Sequence, residues 1–181
     1  AVALSSMSIA GGLDGNAKSE MVGKSALPRE GAKYWMGGCE TTQLLPLSLD
    51  VMAEDGEWLF VSGGKVKKAD VVALEEAVPY YQSLLKTNPK NAWAIAMLGW
   101  YYVVEDDYAK ARPLLERALQ IDTKNVDAWL AMGLIYGNED EYESAIKQFD
   151  EAIRVRPDCA LAFCWRGCSW IYADCNCRDS Y

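Results

Sequence analysis

The cysteines, which could bind a metal or form disulfides, are concentrated at one end of this chain. Five of the six lie at positions 159, 164, 168, 175 and 177. Four thiolates can bind zinc, but the spacing of Cys159, Cys164 and Cys168 continues a helical pattern in which cysteine is an ordinary small packing residue. We therefore expect free thiols and no metal site, with a zinc site or a disulfide in the tail as the alternatives.

No other group of residues has the types and spacing of a catalytic site. The absence of histidine excludes Ser-His-Asp and Cys-His catalysis and every histidine-containing metal site. Gly63-Gly64-Lys65 has neither the length nor the Ser/Thr of a phosphate-binding loop. The carboxylates fall where solvated helix faces and turns are expected. These observations predict a protein that is not an enzyme and uses no cofactor.

The charge balance limits the classes of partner. With 26 acidic and 18 basic residues the formal net charge is −8, which disfavours nucleic acid and anionic membrane surfaces. No run approaches the roughly 18 apolar residues of a membrane span. The stretch 1–12 is mildly apolar but lacks a basic start, so it is at most the remnant of a secretory signal. The compartment stays open between the cytoplasm and export from a bacterial cell.

Three segments can be distinguished by composition. Residues 1–33 are rich in Gly, Ser and Ala, so we expect them to be disordered or removed by processing. Residues 34–72 predict a small β segment of two or three strands, because Leu49 and Val51 alternate with polar residues before an acidic turn at 54–57 and the aromatic run 58–61. Residues 73–181 predict about five helices.

The stretch 49–72 resembles the C-terminal part of bacterial SH3-like barrels. The resemblance covers 25 to 40 residues at most and depends on Gly56, Trp58, Val61, Gly64 and Val66. It implies a partial SH3-like unit. The alternative is an irregular β-hairpin that caps the helices.

An internal repeat with a period of 34 residues organises the rest of the chain, since 92–125 aligns with 126–159 without a gap. The first copy has small and large residues in a fixed order at Ile95, Leu98, Gly99, Tyr102, Tyr108, Ala111, Leu115 and Ala118. The second has Trp129, Met132, Gly133, Tyr136, Tyr142, Ala145, Phe149, Ala152 and Pro157. This pattern resembles the tetratricopeptide repeat (TPR). A half repeat with Ala77, Tyr81, Leu84 and Pro89 precedes the two copies, and a partial repeat at 160–181 follows them.

The resemblance implies a mainly α protein, a TPR-type helical-hairpin solenoid with a small N-terminal β segment. In such a solenoid the first helix of each pair lines a concave groove that binds a peptide or a helix. The residues expected in that groove are Trp93, Ala96, Trp100, Val103, Asp127, Leu130, Leu134, Asn138, Leu161, Cys164 and Cys168. Ala96 and Trp100 stand where the carboxylate clamp of chaperone-binding TPR proteins needs Lys and Asn, so that clamp is absent.

The apolar character of this predicted groove makes Trp93 and Trp100 the expected anchors for a partner. The alternative is that both are covered within the chain or by a second copy. We therefore predict a scaffolding module with a protein or peptide partner of unknown identity. The rival predictions are a self-assembly unit, associating through an uncapped C-terminal helix with Phe163, Trp165, Trp170 and Tyr172, and a fragment of a larger multidomain protein.

Overall fold

A small antiparallel sheet precedes a row of helices. The computed structural model describes residues 21–36, 39–41, 49–61 and 64–178. The strands are β1 (Ser25–Pro28), β2 (Tyr34–Met36), β3 (Cys39–Thr41), β4 (Leu49–Asp55), β5 (Trp58–Val61), β6 (Gly64–Lys67) and β7 (Val71–Ala73). Their order in the sheet is β3-β2-β6-β5-β4-β1-β7, and each neighbouring pair is antiparallel. The described residues therefore form more strands than the two or three predicted.

The hairpin predicted across the acidic turn is confirmed. Leu49 and Val51 of β4 are buried while Asp50 and Met52 are exposed, as period-two alternation requires. Asp55 pairs with Trp58, and the turn between them contains Gly56 with a φ of +58°. A left-handed φ at this point favours glycine, which explains the turn position.

The expectation that 1–33 is disordered or processed is wrong for Ser25–Pro28. This strand lies between β4 and β7, and Ala26 and Leu27 are fully buried. Two apolar side chains and hydrogen bonds to both neighbours stabilise a short strand within a sequence of low average hydrophobicity. Residues 1–20 lie outside the described part of the chain. The SH3-like resemblance of 49–72 remains a prediction.

The helices are α1 (Leu74–Thr87), α2 (Ala92–Val104), α3 (Tyr108–Ile121), α4 (Val126–Asn138), α5 (Tyr142–Val155) and α6 (Ala160–Arg178). There are six in the described residues, one more than the sequence analysis counted. We call α2, α4 and α6 the first helices, and α1, α3 and α5 the second helices. The mainly α fold with paired helices is confirmed.

The helix starts repeat with the sequence period. The side chains of Asn91 and Asn125 cap α2 and α4, accepting hydrogen bonds from the backbone N–H groups of Ala94 and Ala128 at 3.0 Å each. An N-cap of this type provides a partner for an N–H group that the helix leaves unpaired. Equivalent residues thus perform equivalent work 34 positions apart.

The close approach of paired helices also repeats. A Cβ added at Gly99 would lie 2.6 Å from Leu115 Cδ2, and one at Gly133 would lie 2.7 Å from Phe149 Cζ. Both distances are shorter than real contacts, so each first helix needs glycine where a large residue of its second helix packs. Along this row a continuous core forms, and it reaches into the sheet through Leu27 and Val72.

One hydrogen bond connects the sheet to the helices at its most buried point. The Tyr81 hydroxyl of α1 donates to the Pro28 carbonyl oxygen of β1 at 2.7 Å, and Tyr81 is fully buried. Burial raises the pKa of this hydroxyl far above its ordinary value, so it stays protonated as the donor. The β segment is therefore packed onto the helices through β1.

Candidate functional site

Four residues of the predicted groove lie inside the protein. Ala96, Trp100, Val103 and Leu130 are each no more than 6% exposed. Trp100 is the largest of them, and its Nε1–H donates to the carbonyl oxygen of Asp127 at 2.9 Å. These side chains fill the space between neighbouring first helices. Their expected exposure was wrong, and the alternative, burial within the chain, describes Trp100.

Two further predicted groove residues are half-buried. The ring of Trp93 lies 5.8 Å from that of Tyr81, so α1 covers part of it. Asp127, in the first turn of α4, has a pKa raised to about 6 because burial disfavours its charged form, with the positive charge of Arg156 partly offsetting the effect. Neither side chain is a freely exposed anchor.

Three of the remaining predicted residues, Leu134, Asn138 and Cys168, come together around a cavity of about 140 Å³ between α4, α5 and α6. We call it the interhelix cavity. Its lining consists of Gly133, Leu134, Gly137, Asn138, Tyr142, Phe149, Trp165, Cys168, Ser169 and Tyr172. Asn138, Cys168 and Tyr172 are exposed at its rim, whereas Phe149 is buried at its base. Leu161 and Cys164 lie on α6 outside this lining.

The repeat explains why a cavity exists here. Gly137 occupies the position that Val103 fills one repeat earlier, and Ser169 occupies the position of Ile135. Val103 and Ile135 are buried, at 6% and 0% exposure. Replacing two branched apolar side chains by Gly and Ser leaves volume unfilled. A Cβ added at Gly137 would meet nothing within 4 Å, as expected beside an open space.

The walls of the cavity are largely aromatic. The rings of Tyr142 and Tyr172 stack with centroids 5.7 Å apart, and the rings of Phe149 and Trp165 lie 6.0 Å apart. The indole of Trp165 stands where Ala131 stands one repeat earlier, which narrows the space without closing it. The result is an apolar pocket for a flat or branched group.

The polar groups of the lining already have partners within the chain. Asn138 Nδ2 donates to the Tyr108 hydroxyl at 2.8 Å, and Ser169 Oγ donates to the Trp165 carbonyl oxygen at 3.0 Å. The Tyr142 hydroxyl donates to Asp140 Oδ1 at 2.5 Å. These bonds orient the rim side chains, so the cavity favours an apolar group over one that needs hydrogen bonds.

An acidic turn borders the rim. Asn138 and Tyr142 flank the sequence Glu139-Asp140-Glu141, which joins α4 to α5. Glu139 forms an ion pair with Arg112 of α3. Glu141 is exposed to solvent. The local potential beside the cavity is therefore negative, in keeping with the net charge of the chain.

The sequence analysis missed the aromatic half of this site. Tyr142, Phe149, Trp165 and Tyr172 were read as repeat positions or as parts of an uncapped end. The signal that could have revealed the cavity is the small residue at positions 137 and 169, where the preceding repeat has branched apolar residues.

The described cysteines are free thiols. Cys159 is buried, and Cys164 and Cys168 are exposed. Among residues whose side chains are described, no cluster of three or more metal-ligating groups is found. Cys175 and Cys177 lie in α6, but their side chains fall outside the described part. In that same part of the chain, no helix has the length and apolar character needed to cross a membrane.

Comparisons with known proteins give one family. Tetratricopeptide repeat models match residues 74–129 and 103–163. The crystal structure of MamA protein is similar to this chain with a TM-score of 0.50 and 23% identity, over 56% of this chain and 55% of that chain. The Arabidopsis OM64 TPR domain matches with a TM-score of 0.49 and 24% identity, over 53% of this chain and 79% of that chain. The likeness to MamA protein bears on the fold alone, and this chain spans little more than half of that protein's length. No curated protein sequence matches.

Proposed function

Because this chain is a tetratricopeptide repeat protein, we propose that it is a protein-interaction module without catalytic activity, and that it binds a peptide along its first helices. The interhelix cavity receives one apolar side chain of that peptide. This narrows the predicted groove from the whole row of first helices to the space between α4 and α6.

The size and lining of the cavity support this role. Its volume of about 140 Å³ is close to that of an engineered apolar cavity of roughly 150 Å³ that binds benzene. It would therefore hold a side chain such as Phe or Leu. Exposed Asn138 and Cys168 leave an entrance between α4 and α6.

The charge around the cavity favours a partner with basic residues. The turn 139–141 is acidic at the rim, and the chain carries a net charge of −8. Lys or Arg beside the inserted apolar residue would raise the association rate and fix the direction of the peptide. An acidic peptide would be repelled, which agrees with the missing carboxylate clamp at Ala96 and Trp100.

The proposal of no catalytic activity follows from the chemistry of the site. The polar side chains around the cavity are hydrogen-bonded within the chain, and the walls are aromatic. Such a lining provides shape and apolar contact but no general base or activated nucleophile. Self-assembly remains the alternative function, with a second copy in place of the peptide.

The test is to select peptides from a random display library on the purified chain and to measure their affinity for a variant with the cavity filled. Gly137→Val restores the residue type of Val103 and should fill the cavity without disturbing the fold, because nothing lies within 4 Å of the added Cβ. We expect roughly tenfold weaker binding or more, the loss typical of an anchor residue.

Gly167→Val is the matched control, since Gly167 also lies in a first helix with nothing within 4 Å, but outside the cavity lining. Affinities measured by isothermal titration should be unchanged by this substitution. Selected peptides that lack a common apolar residue, or that bind the Gly137→Val variant as tightly as the parent chain, would refute the proposed site.

A further inference from the structure

One face of α6 is exposed although it is apolar. Phe163 is 43% exposed, Trp170 61% and Ile171 64%. With Gly167 they recur at intervals of three and four residues, so they form one stripe along the helix. We call these four residues the α6 stripe.

The same positions in the earlier first helices are covered by a second helix. Ile95, equivalent to Phe163, is fully buried. Gly99 is in close contact with Leu115 of α3, and Gly133 with Phe149 of α5. Gly167 is their equivalent in α6, and a Cβ added there would meet nothing within 4 Å in the described residues. The α6 stripe is therefore a third copy of this helix-packing surface with its seat empty.

We propose that the α6 stripe binds an amphipathic helix of a partner protein, in the position that α3 takes on α2 and α5 takes on α4. The required partner surface can be read from the two filled copies. They present a small, a large and a small residue at intervals of four and three, each at most 1% exposed: Ala111, Leu115 and Ala118 in α3, and Ala145, Phe149 and Ala152 in α5. The large residue of the partner helix lies over Gly167.

This occupant continues an interface that the chain already uses twice, α2 with α3 and α4 with α5, the helix pairs with the most extensive mutual packing. A second copy of the chain cannot offer the same surface among its described helices. The stripes of α1, α3 and α5, centred on Tyr81, Leu115 and Phe149, are fully or almost fully buried against their own first helices. The surface is also distinct from the interhelix cavity, whose lining excludes Phe163, Gly167, Trp170 and Ile171.

A synthetic helix tests the proposal directly. A fluorescent peptide with the sequence of residues 142–155 carries the small–large–small stripe of α5. A lactam bridge between the exposed side chains of Glu143 and Lys147 would hold it helical, since an isolated helix of this length is marginal in water. Fluorescence anisotropy with the full chain should show saturable binding. A peptide with Phe149→Ala should bind roughly tenfold more weakly or worse.

Matched variants of the chain locate the contact. Gly167→Leu fills the seat and should reduce peptide affinity by roughly tenfold or more. Cys164→Leu adds the same side chain elsewhere on the exposed surface of α6 and should leave affinity unchanged. Circular dichroism of both variants checks that the fold is retained, which is expected because both positions are exposed.

Two results would overturn the proposal. In the first, the chain stays monomeric in light scattering and does not bind the peptide. In the second, the chain forms a dimer that Gly167→Leu dissociates, which would show that a second copy covers the α6 stripe. Loss of peptide binding in Gly167→Leu alone, with a monomeric parent chain, supports it.

Discussion

Gly133→Ala should destabilise the protein although alanine is the better helix former. The added Cβ would approach three ring atoms of Phe149, with 2.7 Å to Cζ and 2.8 Å to Cδ1. Phe149 is 1% exposed, and Trp165 packs on it with ring centroids 6.0 Å apart, so the ring has little room to move. Overpacking of this kind costs about 1–3 kcal/mol.

The intrinsic preference for alanine offsets part of that cost. Replacing glycine in a helix interior contributes up to about 1 kcal/mol in favour of folding. The net expectation is a loss of about 1–2 kcal/mol in the free energy of unfolding. Gly137→Ala, in the same helix, is the control: nothing lies within 4 Å of its added Cβ, so stability should be unchanged or rise by up to about 1 kcal/mol.

Urea denaturation followed by circular dichroism measures both variants. Gly133→Ala should lower the midpoint without changing the slope, because the surface exposed on unfolding is the same. In a Phe149→Ala background the cost of Gly133→Ala should vanish, since the clashing ring is gone. Equal stability of the Gly133→Ala and Gly137→Ala variants would show that the helix contact is not limited by Phe149, and the packing argument would fail.

Other substitutions probe the buried predicted residues and the helix caps. Trp100→Ala should lower the free energy of unfolding by about 3–5 kcal/mol, in thermal or urea melts, because Trp100 is 1% exposed and packs between helices; a variant that melts like the parent would contradict this burial. The raised pKa of Asp127, about 6 against an ordinary 3.8, means that its contribution to stability is full below pH 3.8 and is lost as the pH rises through 6. Urea melts at pH 4 and pH 7 should therefore show a drop of roughly 1–3 kcal/mol that Asp127→Asn removes, and an equal drop in both proteins would assign it to other groups. Asn125→Ala should cost about 1 kcal/mol through the lost cap to Ala128, whereas an exposed change such as Lys124→Ala should stay within about 0.5 kcal/mol in the same melts.

The sequence by itself determined the helical part of the fold. A period of 34 residues puts Asn91 and Asn125 at helix starts and Gly99 and Gly133 at the close contacts, and these local requirements hold wherever the segment folds. Capping and close packing act between residues that the repeat itself brings together, which is why periodicity predicted them.

Burial between elements was decided only by the tertiary structure. Trp100 lies on the face of α2 expected to be open, but packing against α4 and α6 covers it, and periodicity carries no information on how tightly successive pairs stack. Ser25–Pro28 forms a strand because β4 and β7 lie on either side of it, a pairing across distant parts of the chain that local composition does not encode. The interhelix cavity has the same origin: Gly137 and Ser169 are unremarkable alone, and they leave a space only because α4 and α6 place them on its lining together.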